Sequence, residues 1–236
     1  MKSLSVVIPA FNEEALIERS LLLLNEELNT TIEDYEIIVI NDGSFDRTPY
    51  ILKELTSKII HLKVIDNETN QGLGAALRKG FFSASKALVF YTDADMPIDY
   101  GMIHKAIEFL EKTHADLVMG FRGKRFDESL HRLTYSLVYN WLICLLFGIH
   151  VKDINFAFKL IRSDVLAGLN LKAKGSFIDA EMVVKATNCG FKIEQFYVKY
   201  FPRELGHSHL ARFNAIGIIL YEIIRYYPEI IKKSKP

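Results

Sequence analysis

Ala87-Leu-Val-Phe-Tyr-Thr-Asp-Ala-Asp95 is an apolar run that ends in two carboxylates. A short run with no polar alternation reads as a strand buried on both faces, the pattern of a parallel sheet covered by helices. Asp93 and Asp95 then stand just past the carboxyl end of that strand, where open α/β sheets bind ligands. Pro97 blocks immediate continuation as a helix. In that setting Asp-x-Asp offers hard oxygen ligands to Mg²⁺ or Mn²⁺, whose remaining positions diphosphate oxygens can fill. The same residues also suit a helix N-cap and a turn, and the motif alone does not separate the two.

On either side, β-rich runs alternate with helical periodicity. Strands are predicted at Ser5–Pro9, Glu36–Ile40, Leu62–Ile65 and Ala87–Thr92, and helices at Glu13–Asn29, Pro49–Ser57 and Gly74–Ser85. Such alternation implies βαβ crossovers and an α/β fold with a mostly parallel central sheet. After the Asp pair the pattern gives a helix near Asp99–Lys112, a strand at Leu117–Gly120 and an apolar helix from about Leu130 to Phe147. With no linker in sight, residues 1–210 read as one domain, and 211–236 as an amphipathic helix with a basic tail. The half that binds a nucleotide is expected to precede the half that binds an acceptor.

Composition narrows the classes. Of 236 residues, 50% are hydrophobic and 25% charged, which is globular. The 29 basic residues balance 29 acidic ones, so nothing global favours nucleic acid, and attraction to phosphates has to be local. Cys144 and Cys189 are too few and too scattered for a disulfide framework or a zinc site, which fits a reducing cytosol. The stretch after Met1 is too short for a signal-peptide core and reads as the first strand. Nowhere do about 20 apolar residues run uninterrupted, and Leu133–Ile149, the nearest approach, is broken by Asn140. Ala211–Tyr227, followed by Lys232, Lys233 and Lys235, suits either a membrane surface or a helix packed on the domain or on a second subunit.

Three further stretches carry chemistry. The first strand ends in Pro9-Ala-Phe11-Asn-Glu13-Glu14 and the second in Asn41-Asp42-Gly-Ser44-Phe-Asp46, which brings acidic and aromatic groups to one sheet edge. A base can stack on Phe11 while Asp42 accepts hydrogen bonds from base or ribose, though both stretches are also ordinary turn and helix-start sequences. Asn70-Gln-Gly72-Leu-Gly74-Ala-Ala-Leu-Arg78-Lys-Gly80 follows the third strand and opens a helix, which allows close backbone approach to phosphate at the positive helix end. Leu77 fills the third glycine position of a dinucleotide fingerprint, so a nucleoside diphosphate fits better than a dinucleotide. Arg132 and Ser136 stand four apart and share one helix face. His207 and His209 lack the further ligands a zinc site needs.

Taken in order and spacing, these motifs resemble the inverting family 2 glycosyltransferases, most closely the polyprenyl-phosphate (dolichyl-phosphate) sugar synthases. The resemblance covers about residues 4–210 and includes Ser5 to Glu14, Asn41 to Ser44, Asn70 to Ala75, Asp93 to Asp95, Asp153 to Lys159, Phe177 to Glu181, and Arg203-Glu-Leu-Gly-His-Ser208. It implies a glycosyltransferase A (Rossmann-like) fold. It also implies a nucleotide sugar held by Pro9, Phe11, Glu13, Asp42, Gly72, Arg78, Asp93 and Ala94, and Mg²⁺ or Mn²⁺ on Asp93 and Asp95. An acceptor phosphate would lie on Arg122, Arg132 and Ser136, with Arg203 on a later loop. Asp95, Asp179, Glu181 and Arg203 are the expected catalytic set, with Asp179 or Glu181 acting as base or orienting the sugar.

The implied activity moves a hexose, mannose or glucose, from GDP-mannose or UDP-glucose to a polyprenyl phosphate. It would act as a peripheral protein at the cytoplasmic face of a membrane, with a membrane-protein partner or a homodimer left open. Pro97 replaces a common Gln, leaving water or Asp99 to complete the metal shell, and Ala157 and His209 replace a common Gly and Lys. The Gln-x-x-Arg-Trp of processive enzymes is absent, and Asp179 resembles the glucosyl type. A soluble or glycan acceptor, or a noncatalytic sugar-nucleotide module, is the alternative reading.

Overall fold

The computed structural model describes residues 3–95, 98–123, 130–199 and 213–230, without the side chains of 130–133, 135, 213–220 and 229. Seven strands form one sheet: β1 (Ser3–Ala10), β2 (Asp34–Asn41), β3 (Leu62–Asp66), β4 (Leu88–Thr92), β5 (Leu117–Arg122), β6 (Phe158–Arg162) and β7 (Ile193–Val198). Their order is β3-β2-β1-β4-β6-β5-β7. Every pairing is parallel except those of β6, which runs antiparallel to both β4 and β5. The mostly parallel sheet expected from the βα alternation is therefore present, with one reversed strand beside the Asp pair.

The middle of the sheet is covered on both faces, which is why β4 and the inner stretches of β1 and β2 are apolar without alternation. On one face Val6, Ile8, Phe90 and Val118 pack against α1 (Ile17–Thr31), α2 (Thr48–Lys58) and α4 (Gly101–Thr113). On the other, Val7, Val89, Leu117 and Met119 pack against Leu77 of α3 (Leu73–Ser83) and Ile143 of α5 (Leu130–Phe147). The same cluster takes in α6 (Ser163–Gly168), Met182 and Val183 of α7 (Ile178–Asn188), and Ile223 and Ile230 of α8 (Phe213–Ile230). Helix α8 is thus seated on the domain through buried residues. Among the described residues no helix is long and apolar enough to cross a membrane.

Helix α1 starts at Ile17 rather than at the predicted Glu13. Before that start, a zipper of hydrogen bonds joins this loop to the one after β2. The Asn12 N–H donates to Ser44 Oγ (3.0 Å), the Glu13 N–H to Thr48 Oγ1 (2.8 Å) and the Glu14 N–H to Asp46 Oδ2 (3.1 Å). In return the Phe45 and Arg47 N–H groups donate to Asn12 Oδ1 (3.0 Å) and Glu14 Oε2 (2.9 Å). These bonds lock the ends of β1 and β2 side by side.

Candidate active site

The carboxyl ends of β1, β2, β4 and β5 share one edge of the sheet, joined there by the segment that enters antiparallel β6. The register Thr92↔Phe158 sets Asp93 next to that segment, and Val7↔Tyr91 brings it toward Pro9. Asp93 and Asp95 are partly exposed and Ala94 is buried, so the tight turn after β4 presents its carboxylates at the edge. Phe11 meets Phe45 edge-to-face at 5.8 Å, and Phe45 is 84% exposed, an aromatic corner with one open wall.

Asp42 is buried, and three donors orient it: Asn67 Nδ2 (2.8 Å) and the Gln71 N–H (2.9 Å) on Oδ1, and the Gly72 N–H (2.9 Å) on Oδ2. Gly43, at φ +71°, admits this loop, since a Cβ there would lie 2.5 Å from the Thr69 carbonyl carbon.

The glycine-rich helix start is the main correction. It was expected to receive phosphate, but the protein's own backbone fills that space. The Lys174 carbonyl oxygen accepts the Ala75 N–H (3.1 Å), one of the unsatisfied donors of the first turn of α3. A Cβ at Gly72 (φ +92°) would come within 2.6 Å of that same oxygen, and one at Gly74 would overlap the Ala173 carbonyl oxygen. Both glycines therefore serve helix–loop packing. Arg78, one turn further along α3, is partly exposed, with its Nε buried and without a hydrogen bond.

Glu181 needs the second correction. Two positions along a helix from Asp179, it faces elsewhere, as that spacing requires. Its carboxylate is fully buried and accepts the N–H groups of Lys172 (2.9 Å) and Ala173 (2.7 Å), with Lys185 Nζ at 2.6 Å. It holds the 172–175 loop.

Asp179 does lie near the edge. Lys159 Nζ donates to its Oδ1 (2.6 Å) and to the Phe156 carbonyl oxygen (2.9 Å), and the ammonium stands 5.4 Å from the Tyr91 ring centre. Burial pushes the Asp179 carboxyl above its ordinary pKa against the pull of Lys159, and the charge of Asp153 adds to the rise. Tyr91, buried and near Asp179 and Asp93, is held neutral well past the ordinary phenol range. Lys159 carries a signal in the sequence: a lysine within Phe158-Lys-Leu-Ile161 is a charge in a buried strand, and such a charge requires a partner.

Arg122, expected on the acceptor phosphate, forks onto Asp153 through Nε (2.8 Å) and Nη2 (3.0 Å) and lies over the Phe156 ring at 5.0 Å. A phosphate would compete with Asp153 for those donors. Ser136 is partly exposed on α5, while the Arg132 side chain, Pro97, Arg203, His207, His209 and the lysine tail lie outside the described residues. Asp99, considered for the metal shell, accepts the Gly101 N–H (3.0 Å) just before α4. Among the described residues no three His, Cys, Asp or Glu side chains group as a metal cage. Two carboxylates nonetheless fit Mg²⁺ or Mn²⁺, which commonly take one or two protein carboxylates and fill the rest with water and substrate phosphate.

A mostly parallel sheet with Asp-x-Asp at the end of a central strand and an aromatic corner beside it defines a glycosyltransferase A fold. The chain belongs to glycosyl transferase family 2, whose description matches residues 5–169.

Among its relatives, glycosyltransferase AglD of Haloferax volcanii is 28% identical over 84% of this chain and 33% of its own length. Dolichyl-phosphate beta-glucosyltransferase ALG5D of Trichomonas vaginalis is 27% identical over 94% of this chain and 73% of its own length. The chain thus spans about a third of one relative and nearly three quarters of the other. Glucosyl-3-phosphoglycerate synthase of Mycobacterium tuberculosis, crystallised with phosphoglyceric acid, superposes with a TM-score of 0.73 at 20% identity, over all of this chain and 81% of that one. S. aureus TarS with UDP-GlcNAc gives 0.66 at 19% identity, over 95% and 67%. These two show the shared fold.

Proposed function

We propose that this chain is an inverting hexosyltransferase that moves glucose from a sugar nucleotide to a polyprenyl phosphate at a membrane surface. The observation that carries the reading is the convergence of Asp93, Asp95, the Phe11 corner and Asp42 on the carboxyl edge of the sheet, beside the segment entering β6. The Trichomonas vaginalis relatives, dolichyl-phosphate beta-glucosyltransferases by name, support glucose and a dolichyl-phosphate acceptor. A Mycobacterium tuberculosis neighbour crystallised with Mn²⁺ and UDP-glucose supports the donor and the cation.

In this reading the base stacks at Phe11 and Phe45, Asp42 faces it, and Glu13 lies against the ribose side. Asp93 and Asp95 would hold the divalent cation, whose positive charge stabilises the departing nucleoside diphosphate. An oxygen of the acceptor phosphate attacks the anomeric carbon from the face opposite the leaving group. The new carbon–oxygen bond forms as the bond to the diphosphate breaks, and the configuration inverts. A phosphate monoester, with a second pKa of about 6, is largely ionised at neutral pH and needs no general base. Asp179, paired to Lys159, then orients the sugar. Arg132 and Ser136 on α5, with Arg203, are proposed to take the acceptor phosphate.

Membrane action is supported by exposed apolar residues on that same helix: Leu137, Trp141 and Leu145 follow one another at four-residue spacing, and Trp141 is 63% exposed. Tyr221, Ile224 and Tyr227 of α8 are also exposed, and Tyr227 touches Phe147 at the end of α5 (5.6 Å).

The test incubates the protein with Mn²⁺, a short polyprenyl phosphate and labelled UDP-glucose or GDP-mannose. Label from UDP-glucose in the organic phase is expected. Label that stays aqueous with both donors would overturn the lipid acceptor in favour of a soluble one.

A further inference from the structure

We propose that Glu222, on α8 and outside every site motif, is a positioning residue for the nucleotide-sugar pocket. This rests on the donor reading given above.

Glu222 is buried, and its Oε1 accepts the backbone N–H groups of Lys174 (3.0 Å) and Gly175 (2.8 Å). The fit is tight, since a Cβ at Gly175 would stand 2.7 Å from Oε2 and 3.2 Å from the carboxylate carbon. A methyl at Gly175 would push the end of the Glu222 side chain away from the loop. The loop so gripped is the one that caps α3: the Lys174 carbonyl oxygen accepts the Ala75 N–H, and the Ala173 and Lys174 carbonyls pack on Gly74 and Gly72. Gly72 and Gln71 in turn donate to Asp42, which the donor reading sets against the base. A continuous series of direct contacts thus runs from α8 through the 172–175 loop and the start of α3 to Asp42.

Its near end is well supported. Glu181 and Lys185 hold the other side of the same loop, and Tyr226 of α8 stacks parallel to Phe177 at 6.5 Å. Without Glu222, two partly buried N–H groups lose a charged acceptor, and the loop loses the two bonds that tie it to α8. The Lys174 carbonyl then leaves α3, Gln71 and Gly72 slacken, and Asp42 loses two of its three donors.

The test compares wild type with Glu222→Ala, Glu222→Gln and Gly175→Ala by amide hydrogen exchange and by calorimetric binding of UDP-glucose with Mn²⁺, without acceptor. Glu222→Ala and Gly175→Ala are expected to expose the amides of Lys174 and Gly175 and also those of Gln71 and Gly72, while the strand amides keep wild-type protection. Donor affinity should fall about tenfold, or about 1.4 kcal/mol. Glu222→Gln, whose amide oxygen can accept the same two N–H groups, should bind within about threefold of wild type. In the double variant Gly175→Ala should add little to Glu222→Ala, because both remove one grip.

If the Gln71 and Gly72 amides stay protected while those of Lys174 and Gly175 open, the inference is overturned. Unchanged donor affinity in folded Glu222→Ala and Gly175→Ala overturns it as well. Should Glu222→Ala fail to fold, Gly175→Ala decides. If wild type binds no sugar nucleotide, the donor reading fails separately, and the exchange pattern still decides whether Glu222 orders the Asp42 loop.

Discussion

Lys159→Met is the sharpest perturbation the structure offers, because it removes one half of an ion pair whose side chains are 0% and 4% exposed. The change nearly preserves shape, so the loss is electrostatic. Asp179 is left buried with a carboxylate that has lost the 2.6 Å bond from Nζ, and the Phe156 carbonyl keeps only the Phe158 N–H. Breaking a buried pair from one side costs about 3–5 kcal/mol, since the remaining charge is uncompensated. For a chain of this size that corresponds to a melting-point loss of about 6–20 °C.

The sign with pH follows from the raised Asp179 carboxyl. In the variant that carboxyl rises further, so the folded state holds a proton the unfolded state has released. Stability then falls as pH climbs from the unfolded carboxyl value toward the folded one. Lys159→Met is therefore expected to regain stability relative to wild type near pH 5 and to be worst near pH 8. Replacing both partners, as in Lys159→Met with Asp179→Leu, should recover most of the loss, because an apolar pair of similar volume leaves no buried charge. Urea unfolding followed by circular dichroism at both pH values measures this. A single variant that loses less than about 1 kcal/mol, or a double variant as unstable as the single, refutes the account of the pair.

Asp95→Asn keeps the side chain's shape and removes its charge, so transfer from the sugar nucleotide should drop by about a hundredfold or more. Calorimetry should show weaker Mn²⁺-dependent UDP binding, and wild-type rates would end the metal assignment. Gly74→Ala drives a methyl into the Ala173 carbonyl and to 2.8 Å from the Gly175 carbonyl, backbone atoms that cannot rotate aside. A loss of about 1–3 kcal/mol in urea unfolding is expected despite alanine's better helix propensity, and a gain in stability would contradict the packing. Glu36 is drawn below its ordinary pKa: burial pushes it up, but the bonds from Ser5 Oγ (2.6 Å) and the Ser85 N–H (2.7 Å), together with Lys86, outweigh that. Its contribution is present above the unfolded pKa and is lost as pH falls through the lower folded value. Glu36→Gln should therefore flatten the acid limb of the stability profile below about pH 4.5; an unchanged limb would show that the group is not tuned.

The fold was legible wherever a segment obeyed one periodicity over its whole length. Strands β1 to β5 and the helices between them lie within a few residues of their expected places, because Val, Ile and Phe runs buried on both faces leave little ambiguity. The second half was harder. Lys159 interrupts β6, and α7 is buried almost all round, from Ile178 to Val184, so it lacks the polar stripe that marks a surface helix. The Asp pair, the Phe11 turn and Asp42 could be placed because each ends a recognisable strand. The Asn70–Gly80 stretch misled for a physical reason: glycines that admit a phosphate and glycines that admit a carbonyl look alike in sequence, and only the position of Lys174 distinguishes them. Glu222 left no signal, since one glutamate on an amphipathic helix reads as solvated.

The charge arrangement constrains how two phosphate-bearing substrates can meet here. Asp153 balances Arg122, and Asp179 balances Lys159, so two cationic side chains near the strand ends bring little net positive charge to the edge. The helix end that was expected to attract phosphate instead faces a backbone carbonyl. Asp93 and Asp95 add negative charge at the spot where a diphosphate would lie. Close to Asp93 and Asp95, a donor diphosphate without a divalent cation meets the repulsion of two carboxylates. Its binding should therefore depend on the cation far more steeply than that of a neutral nucleoside, which in the proposed reading stacks at Phe11 and carries no phosphate to meet the carboxylates. Mn²⁺ should tighten UDP by orders of magnitude and leave uridine nearly unchanged, and equal tightening of both would move the cation away from Asp93 and Asp95.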